Sequence, residues 1–497
     1  MIDNLQLGLS VAFTIKNLAW CFLGTVIGTV VGVLPGLGPF AAISILLPIT
    51  FYMDPISGII LLSGIYYGTQ YGGSITSILL NLPGESSSVV TTLDGYQMAK
   101  QGRAGAALSI SAIGSFFAGC LATIIVAWLA VPLSTVAFKF GPAEYASLMV
   151  LGLIASAVLS TGSVVKAIGM VLLGILLGTV GIDINSGVER FTFGSPNLYN
   201  GISFVVIAMA VFGLSEVVYN VLHPSKDSVL HTDVSSLYPT KEEMKSAIPA
   251  ILRGTAIGSF LGVLPGAGAV MSSFASYAVE KKLAKDPSRF GKGAIEGVAS
   301  PESANNAGAQ VSFVPMLSLG LPTTPVMALM LAVLMIHNIQ PGPNVISSNP
   351  ELFWGLVVSM LIGNFFLIIL NLPLVGLWVN ILKVPKKVLY PTIVAICIIG
   401  AYYISNSWFN VWLLIPFTVL GYFLKRWDCN AAPLAMGLVV GEGLEEYMRR
   451  ALIISEGSWI TFIDKPISLA LLTASVIIIF LSLRTAKIAR LKHKEII

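Results

Sequence analysis

The sequence has very few charged residues. Asp, Glu, Lys and Arg make up 10% of the 497 residues, whereas hydrophobic residues make up 55%. In a soluble globular chain about a quarter of the residues are charged, so this chain has too few charged residues to form the surfaces of soluble domains. Its apolar runs have a helical period, and its mean hydropathy is +0.86. The composition therefore excludes an ordinary soluble protein and predicts a polytopic helical membrane protein.

Motifs of catalysis and nucleotide binding are also missing. The sequence contains neither GxxxxGK followed by Ser or Thr nor HExxH, so neither ATP hydrolysis nor a zinc protease is indicated. The four cysteines form no CxxC pair and the four histidines are far apart, which argues against a disulfide framework and a zinc site. A net charge of +4 without a basic-aromatic patch argues against nucleic-acid binding. We expect no enzyme, no cofactor and no nucleic-acid partner.

No polar stretch is long enough to fold as a separate domain. The longest runs from His223 to Ser246 and is interpreted as a linker. We expect a membrane repeat at 1–222, a polar linker at 223–249, a second repeat with additional C-terminal helices at 250–483, and a basic tail at 484–497. The apolar segments predict roughly ten to fourteen membrane elements, some re-entrant. The positive-inside rule predicts that the basic tail is cytoplasmic.

The strongest positive signal is an internal repeat. GTVIGTVVGVLPGLG, from Gly24, and GTAIGSFLGVLPGAG, from Gly254, are identical at ten of fifteen positions and lie 230 residues apart. This identity indicates a duplication of about half the chain. Each copy begins with glycines four residues apart, which share one helix face and let another backbone approach closely. Helix packing alone is a sufficient interpretation of that stripe.

Each copy ends in a Leu-Pro-Gly break flanked by apolar sequence. Proline blocks a helix, and glycine permits unusual dihedrals. At membrane depth such a break is tolerated only where it is buried in protein or lines a wet cavity. A kink without a ligand is the alternative, but two matching breaks favour a binding site, to which Gly36 and Gly266 contribute. The matching turn residues are Pro35, Gly36 and Gly38 in the first copy and Pro265, Gly266 and Gly268 in the second.

A second pair of breaks follows, NLPGESSS at 81–88 and GLPTTP at 320–325, with Pro322 placed 239 residues after Pro83. Hydroxyl residues after such a turn suit a helix N-terminus, whose free N–H groups attract an anion such as a carboxylate. Simple N-capping in a loop is the alternative. The predicted substrate residues of these two turns are Gly84, Ser86, Ser87, Thr323 and Thr324.

Asparagines in the same regions predict a cation site. Asn305 and Asn306 are adjacent in a run of small residues, and Asn81 opens the first of the two turns. Amide groups are costly in lipid, and their oxygens can coordinate Na⁺ beside the carbonyl ends of helices. Interhelical hydrogen bonding is the alternative interpretation. No metal beyond Na⁺ is expected.

The charges near the two Leu-Pro-Gly breaks predict repeats of opposite direction. The segment after the first break carries Asp54 and no Lys or Arg, whereas the second is followed by a basic cluster. This cluster consists of Lys281, Lys282, Lys285, Arg289 and Lys292. Equivalent loops then lie on opposite sides of the membrane. The predicted fold is all-α and polytopic, with two inverted repeats whose re-entrant or broken helices meet near the midplane.

Four segments of the chain resemble a known family. They are GVLPGLGP at 32–39, the run at 72–111 that contains NLPGESSS, PESANNAGA at 301–309 and MIHNIQPGP at 335–343. They resemble the large membrane subunit, of the TctA type, of the tripartite tricarboxylate transporters, and the resemblance covers nearly the whole chain. The family's second turn often reads Ile-Pro-Gly-Ser, whereas here it is Leu-Pro-Thr-Thr at 321–324, which bears on substrate choice.

The resemblance implies a secondary transporter, surrounded by lipid in the bacterial inner membrane. It implies two protein partners, a small membrane subunit and a periplasmic solute-binding protein. The implied substrate is an organic carboxylate such as citrate, and the implied coupling ion is Na⁺. A carboxylate-selective anion channel or an uncoupled carrier is the alternative.

Overall fold

The computed structural model describes residues 2–34, 38–160, 163–183, 186–223, 238–266, 268–381 and 386–494. Almost all regular structure in these ranges is helical. The elements up to residue 222 are α1 Ile2–Ala12, α2 Ile15–Val33, α3 Pro39–Thr50, α4 Pro55–Leu80, a 3₁₀ turn Ser86–Ser88, α5 Val89–Lys100, α6 Ala104–Ala137, α7 Pro142–Leu159, α8 Val164–Gly178, β1 Gly181–Ile182, β2 Glu189–Arg190, a 3₁₀ turn Pro196–Leu198, α9 Phe204–Ala208, a π-helical turn Met209–Leu214 and α10 Ser215–Leu222. The two short strands form an antiparallel pair.

The remaining elements are again helices. They are α11 Lys241–Gly262, α12 Gly268–Leu283, a 3₁₀ turn Pro287–Arg289, α13 Glu296–Val311, α14 Phe313–Leu319, α15 Pro325–Ile336, α16 Asn344–Ser348, α17 Pro350–Asn371, α18 Val375–Ile381, α19 Lys386–Ser405, α20 Trp408–Arg426, α21 Ala432–Ile454, α22 Thr461–Asp464 and α23 Pro466–Lys494.

Among the described residues, seven helices are long and apolar enough to cross a membrane. They are Ile15–Val33, Ala104–Ala137, Pro142–Leu159, Phe204–Leu222, Pro350–Asn371, Lys387–Ile404 and Trp408–Arg426. Shorter apolar helices, including α3 and α15, accompany them. The prediction of a helical, multi-pass membrane protein is confirmed.

The glycine stripe of α2 packs directly on α4. A Cβ added at Gly24 would collide with the carbonyl oxygen of Leu61, and one at Gly32 with that of Thr69. Because rising numbers on α2 meet rising numbers on α4, the two helices run parallel. α3 leads the chain back from the end of α2 to the start of α4. Lys16, near the start of α2, forms an ion pair with Asp54, which precedes α4.

The second glycine stripe makes the same contact with α13. Added Cβ atoms at Gly254, Gly258 and Gly262 would collide with the carbonyl oxygens of Ser300, Ala304 and Gly308. Each of these carbonyls lies 239 residues after its counterpart on α4, so α11 and α13 repeat the arrangement of α2 and α4. The sequence repeat therefore corresponds to a repeated packing unit.

The two packing units are joined through α4 and the α13–α14 segment. The Tyr67 ring lies 6.0 Å from that of Phe313, centroid to centroid, and the Ser74 hydroxyl contacts Glu302. Rising numbers on α4 thus meet falling numbers on α13–α14, so these equivalent segments run antiparallel where they pack. A large apolar core formed by α3, α4, α6, α14, α15 and α17 surrounds this junction.

Two predicted boundaries fall inside helices. The interval predicted as a linker, 223–249, contains the first turns of α11, which begins at Lys241, and residues 224–237 lie outside the described residues. α23 continues without a break from Pro466 into the predicted tail at 484–497 and reaches Lys494. The division into domains remains a prediction.

Candidate functional site

The first-half turn connects α4 to α5. Asn81 ends α4 in a left-handed conformation with a φ of 58°. An added Cβ on Gly84 would collide with the Gly32 carbonyl oxygen and the Gly73 Cα, so only glycine lets the turn pass beside the end of α2. Glu85 is extended and precedes the 3₁₀ turn Ser86–Ser88, from which α5 continues.

The second-half turn, between α14 and α15, follows the same backbone course. Gly320 is left-handed with a φ of 68°. Thr324, with φ −139° and ψ 161°, has nearly the conformation of Glu85, with φ −144° and ψ 168°. The Thr324 hydroxyl accepts a hydrogen bond from the Met327 N–H at 3.2 Å and so caps α15. Glu85 and Thr324 are therefore equivalent residues of the repeat.

The two breaks of the second half touch each other. The Gly266 N–H donates to the Thr323 carbonyl oxygen at 2.9 Å, and an added Cβ on Gly268 would lie 2.5 Å from Thr324 Cγ2. Gly266 and Gly268 have φ of 78° and 45°, a region that glycine adopts without strain. As a result α12 and α15 begin side by side.

The first-half turn contacts the same region from the other half of the chain. Asn305 Nδ2 donates to Glu85 Oε1 at 3.1 Å, and the 3₁₀ turn Ser86–Ser88 packs on α12 and α13. Both Asn305 and Glu85 are buried. The start of α12 thus lies beside the second turn, and α12 also packs on the first. Unpaired N–H groups and the helix dipole give such helix starts a partial positive charge, which suits an anion.

A second buried carboxyl group, Glu302, lies on α13 next to this region. It accepts hydrogen bonds from the Ser74 hydroxyl at 2.5 Å and from the Thr91 hydroxyl, both in the first half. The Asn306 side-chain amide donates to Ser115 Oγ at 2.7 Å and to the Glu302 backbone carbonyl at 3.1 Å. These hydrogen bonds join the two halves.

One face of α4 links the two turns through polar groups. Tyr66 lies beside the side chains of Thr324 and Gln70, and an added Cβ on Gly73 would lie 3.0 Å from Glu85 Cγ. The spacing of 66, 70 and 73 places all three on one helix face. A row of polar groups therefore runs from Thr324 along α4 to Glu85.

Several atoms of this region are buried and have no protein hydrogen-bond partner. They are Gln70 Oε1, Asn305 Oδ1 and Thr323 Oγ1. All three residues are 0% exposed. An unsatisfied buried polar atom costs about 1–3 kcal/mol, so an ion or a polar ligand that supplies the missing partners would be favoured here.

A family comparison matches residues 18–436 to the tripartite tricarboxylate transporter TctA family. The chain belongs to the TctA family. The resemblance inferred from the sequence motifs is thus confirmed. TctA is a family of transporters that work in tripartite systems, which implies partner subunits.

Two curated relatives of this TctA chain come from Agrobacterium vitis. One, an uncharacterized 52.8 kDa protein in the TAR-I ttuC′ 3′ region, is 54% identical over 97% of this chain and 96% of its own length. The other, an uncharacterized protein in the TAR-II ttuC′ 3′ region, is 54% identical over 46% of this chain and 93% of its own length. No solved structure matches the chain.

The structure brings several of the predicted TctA site residues together. Gly266, Thr323 and Thr324 meet at the second turn, and Gly268 adjoins them. Across the interface, Asn305 contacts the first turn, where the Ser87 hydroxyl donates to the Glu85 carboxylate. Pro83, Pro265 and Pro322 stand in the three described turns.

Other predicted residues have different surroundings. Asn81 and Ser86 are exposed, and Gly84 is buried against backbone rather than free to face a ligand. Asn306 already donates to Ser115 and to a backbone carbonyl, which fits the alternative of interhelical hydrogen bonding. Gly38 precedes α3 with a φ of 20°. Pro35 and Gly36 lie outside the described residues.

Sequence reasoning did not single out the two buried carboxyl groups or the polar face of α4. Glu85 and Glu302 stand inside motifs that were quoted for their hydroxyl and amide residues. An ionisable residue within membrane-embedded sequence is by itself a signal of function, and this signal could have identified both. Tyr66 and Gln70 gave no such signal, because a single sequence does not reveal which face of a buried helix meets the other repeat.

A separate cleft of about 400 Å³ opens at one end of the bundle, where the N-terminal ends of α6 and α11 meet the 287–295 loop. Arg103, Glu243 and Lys292 are among its lining residues. Partial burial raises the pKa of Glu243, but hydrogen bonds from the Thr240 N–H and the Arg103 guanidinium outweigh it, so the pKa is lowered. The cleft is polar and lies outside the apolar helix segments.

Proposed function

We propose that this TctA chain is the large permease subunit of a binding-protein-dependent secondary transporter that imports organic carboxylates together with Na⁺. The observation that carries the proposal is the meeting of three helix-breaking turns from both halves around α12, with buried polar atoms that lack partners among them. Broken helices from two repeats that converge on polar groups are typical of secondary transporters.

We infer that the two halves are inverted repeats with broken or re-entrant elements. The inference is supported by α4 and α13–α14, which are equivalent by the constant spacing of 239 residues yet pack antiparallel. Two parallel repeats would make equivalent helices run in the same direction. The short helices α3 and α12, each preceded by a Leu-Pro-Gly break, are the re-entrant candidates.

In this proposal the substrate carboxylates bind at the starts of α12 and α15. Thr323 Oγ1 and Thr324 on one side, and Ser87 with the 3₁₀ turn on the other, supply hydroxyl groups, while α12 and α15 supply the positive ends of their helix dipoles. Anions are stabilised at helix N-termini. Tricarboxylates such as citrate, and related organic acids, are the proposed substrate class.

Sodium binds beside the substrate, with Asn305 as the central ligand among the predicted residues Asn81, Asn305 and Asn306. Support comes from the unpartnered Asn305 Oδ1, an oxygen of the kind that Na⁺ prefers. Binding of Na⁺ would hold α13 and the first turn in the arrangement that accepts the anion. Alternating access then moves the turns between the two sides, and an elevator-like motion is the proposed form.

The proposed location is the bacterial inner membrane, with a small membrane subunit and a periplasmic solute-binding protein as partners. The end of the bundle that carries Arg103, Arg289 and Lys292 is assigned to the cytoplasm. α23 begins near Glu144, which Lys465 contacts at 3.4 Å, at the end of α6 opposite Arg103. α23 therefore runs towards the basic end, and the C-terminus is cytoplasmic.

Uptake into proteoliposomes tests this function. The complete system, with the binding protein outside, should accumulate radiolabelled citrate or a related acid against its concentration gradient when Na⁺ is higher outside than inside. A channel or an uncoupled carrier is the alternative, and either would only equilibrate the substrate. Equilibration that is unaffected by the Na⁺ gradient would refute coupled transport and favour that alternative.

A further inference from the structure

Glu85 conflicts with the proposed anion site. It occupies, in the first turn, the position that Thr324 occupies in the second, and it is 8% exposed. A carboxylate at this place repels a carboxylate substrate, because few waters screen the two charges in a buried site. The repulsion has to be removed before the anion binds.

The surroundings of Glu85 contain oxygen atoms suited to a cation. Asn305 donates its Nδ2 to Glu85 Oε1 at 3.1 Å, so its unpartnered Oδ1 belongs to the same cluster. Gln70, whose Oε1 also lacks a partner, shares a face of α4 with Gly73, which adjoins the Glu85 stem. One carboxylate and two amide oxygens match the hard, singly charged Na⁺.

We propose that Glu85, Asn305 and Gln70 form the site of the coupling Na⁺, and that Na⁺ must neutralise Glu85 before the carboxylate substrate binds between the turns. The inference rests on the proposed function, because it explains why an anion site would need a cation. It replaces Asn81 and Asn306 as ligands with Glu85 and Gln70.

Glu302 is a different kind of carboxyl group. Hydroxyl donors from Ser74 and Thr91 engage both of its oxygens, whereas Ser87 and Asn305 both donate to the same Glu85 oxygen, Oε1. Glu302 thus has both carboxyl oxygens satisfied by hydrogen bonds within the protein. We assign it to the junction between α13 and the first half, and not to the ion.

Thermal unfolding of the purified full-length chain in detergent tests the site without transport. The melting temperature is measured against NaCl concentration, with choline chloride keeping the ionic strength constant. We expect a saturable rise for the wild type and at least a tenfold higher Na⁺ midpoint for Glu85→Gln. Glu280→Gln is the matched control, since Glu280 is a buried carboxylate paired with Arg253 at 2.6 Å. It should keep the wild-type midpoint.

The proposal would be overturned if Glu85→Gln had the same Na⁺ midpoint as the wild type. It would also be overturned if Glu302→Gln shifted the Na⁺ midpoint and Glu85→Gln did not. If Glu85→Gln does not fold, Asn305→Ala takes its place with the same expected shift. The outcomes separate the site from the function. A Glu85-dependent Na⁺ response without carboxylate uptake would refute only the function. Na⁺-driven uptake with an unshifted midpoint would refute only the site.

In proteoliposomes, Glu85→Gln should admit substrate down its gradient without Na⁺, because the repelling charge is gone. Wild-type uptake should require Na⁺ under the same conditions. If the variant still requires Na⁺ as the wild type does, Glu85 is not the charge that the ion neutralises.

Discussion

The Thr323 hydroxyl offers a sharp test of the candidate site. Its Oγ1 is buried without a hydrogen-bond partner, an arrangement that costs about 1–3 kcal/mol. Thr323→Val keeps the shape of the side chain and removes the hydroxyl. We therefore expect the substrate-free variant to be more stable than the wild type, with a melting temperature higher by about one to a few degrees.

The same substitution should impair function. If Thr323 Oγ1 hydrogen-bonds a substrate carboxylate, the valine variant loses that bond, and added citrate or another transported acid no longer raises its melting temperature as it does in the wild type. Stabilisation without ligand and a weaker response to ligand are the combined signature. A threonine that does not bind substrate would show the stabilisation alone, with an unchanged response to ligand.

Thr255→Val is the control. Thr255 is as buried as Thr323, but its hydroxyl donates to the Ile251 carbonyl oxygen at 2.7 Å. Its loss should not stabilise the chain and should leave the response to substrate unchanged. A Thr323→Val protein that melts below the wild type, or that responds fully to substrate, would refute the reasoning.

Three further predictions concern packing, charge and ion dependence. Gly28→Ala should destabilise the chain by about 1–3 kcal/mol, because the added Cβ collides with the Ile65 carbonyl oxygen, whereas Gly169→Ala meets nothing within 4 Å and should be tolerated in the same melting assay. Glu243→Gln should lower the free energy of unfolding at pH 7 by less than about 1 kcal/mol, as for a partly exposed ion pair, and so lower the melting temperature slightly. Because the pKa of Glu243 is lowered in the folded chain, the difference from the wild type should vanish as the pH falls through about 4 and below. A difference that does not change with pH would contradict the assignment. Asn305→Ala should raise the Na⁺ concentration needed for half-maximal uptake, and a variant that only expresses less, with unchanged Na⁺ dependence, would remove Asn305 from the ion site.

The sequence predicted the features that follow from local chemistry. Membrane helices can be recognised by their length and hydropathy. The glycine stripes indicated that another backbone packs closely on α2 and on α11, and the structure identifies the partners as α4 and α13. The second pair of helix breaks could also be predicted from the sequence, because Asn81 and Gly320 are residues that can take the left-handed conformation that ends a helix.

The arrangement between the halves was much harder to predict. The contact of Asn305 with Glu85 joins residues 220 positions apart, and nothing local specifies such a pair. Asn306, its neighbour, points to Ser115 instead, since adjacent residues on a helix face different directions. Two identical side chains side by side were therefore assigned one role, although their surroundings differ.

The hydrogen bond from the Gly266 N–H to the Thr323 carbonyl oxygen joins the loop before α12 to the loop before α15, so that the two loops move together. A displacement of the loop before α12 is passed at once to the loop before α15, without any side chain as intermediary. Side-chain substitutions leave this main-chain link in place. Flexing that opens a path to one face of the membrane would then occur outside the tied pair, for example at the left-handed Gly320, three residues before Thr323.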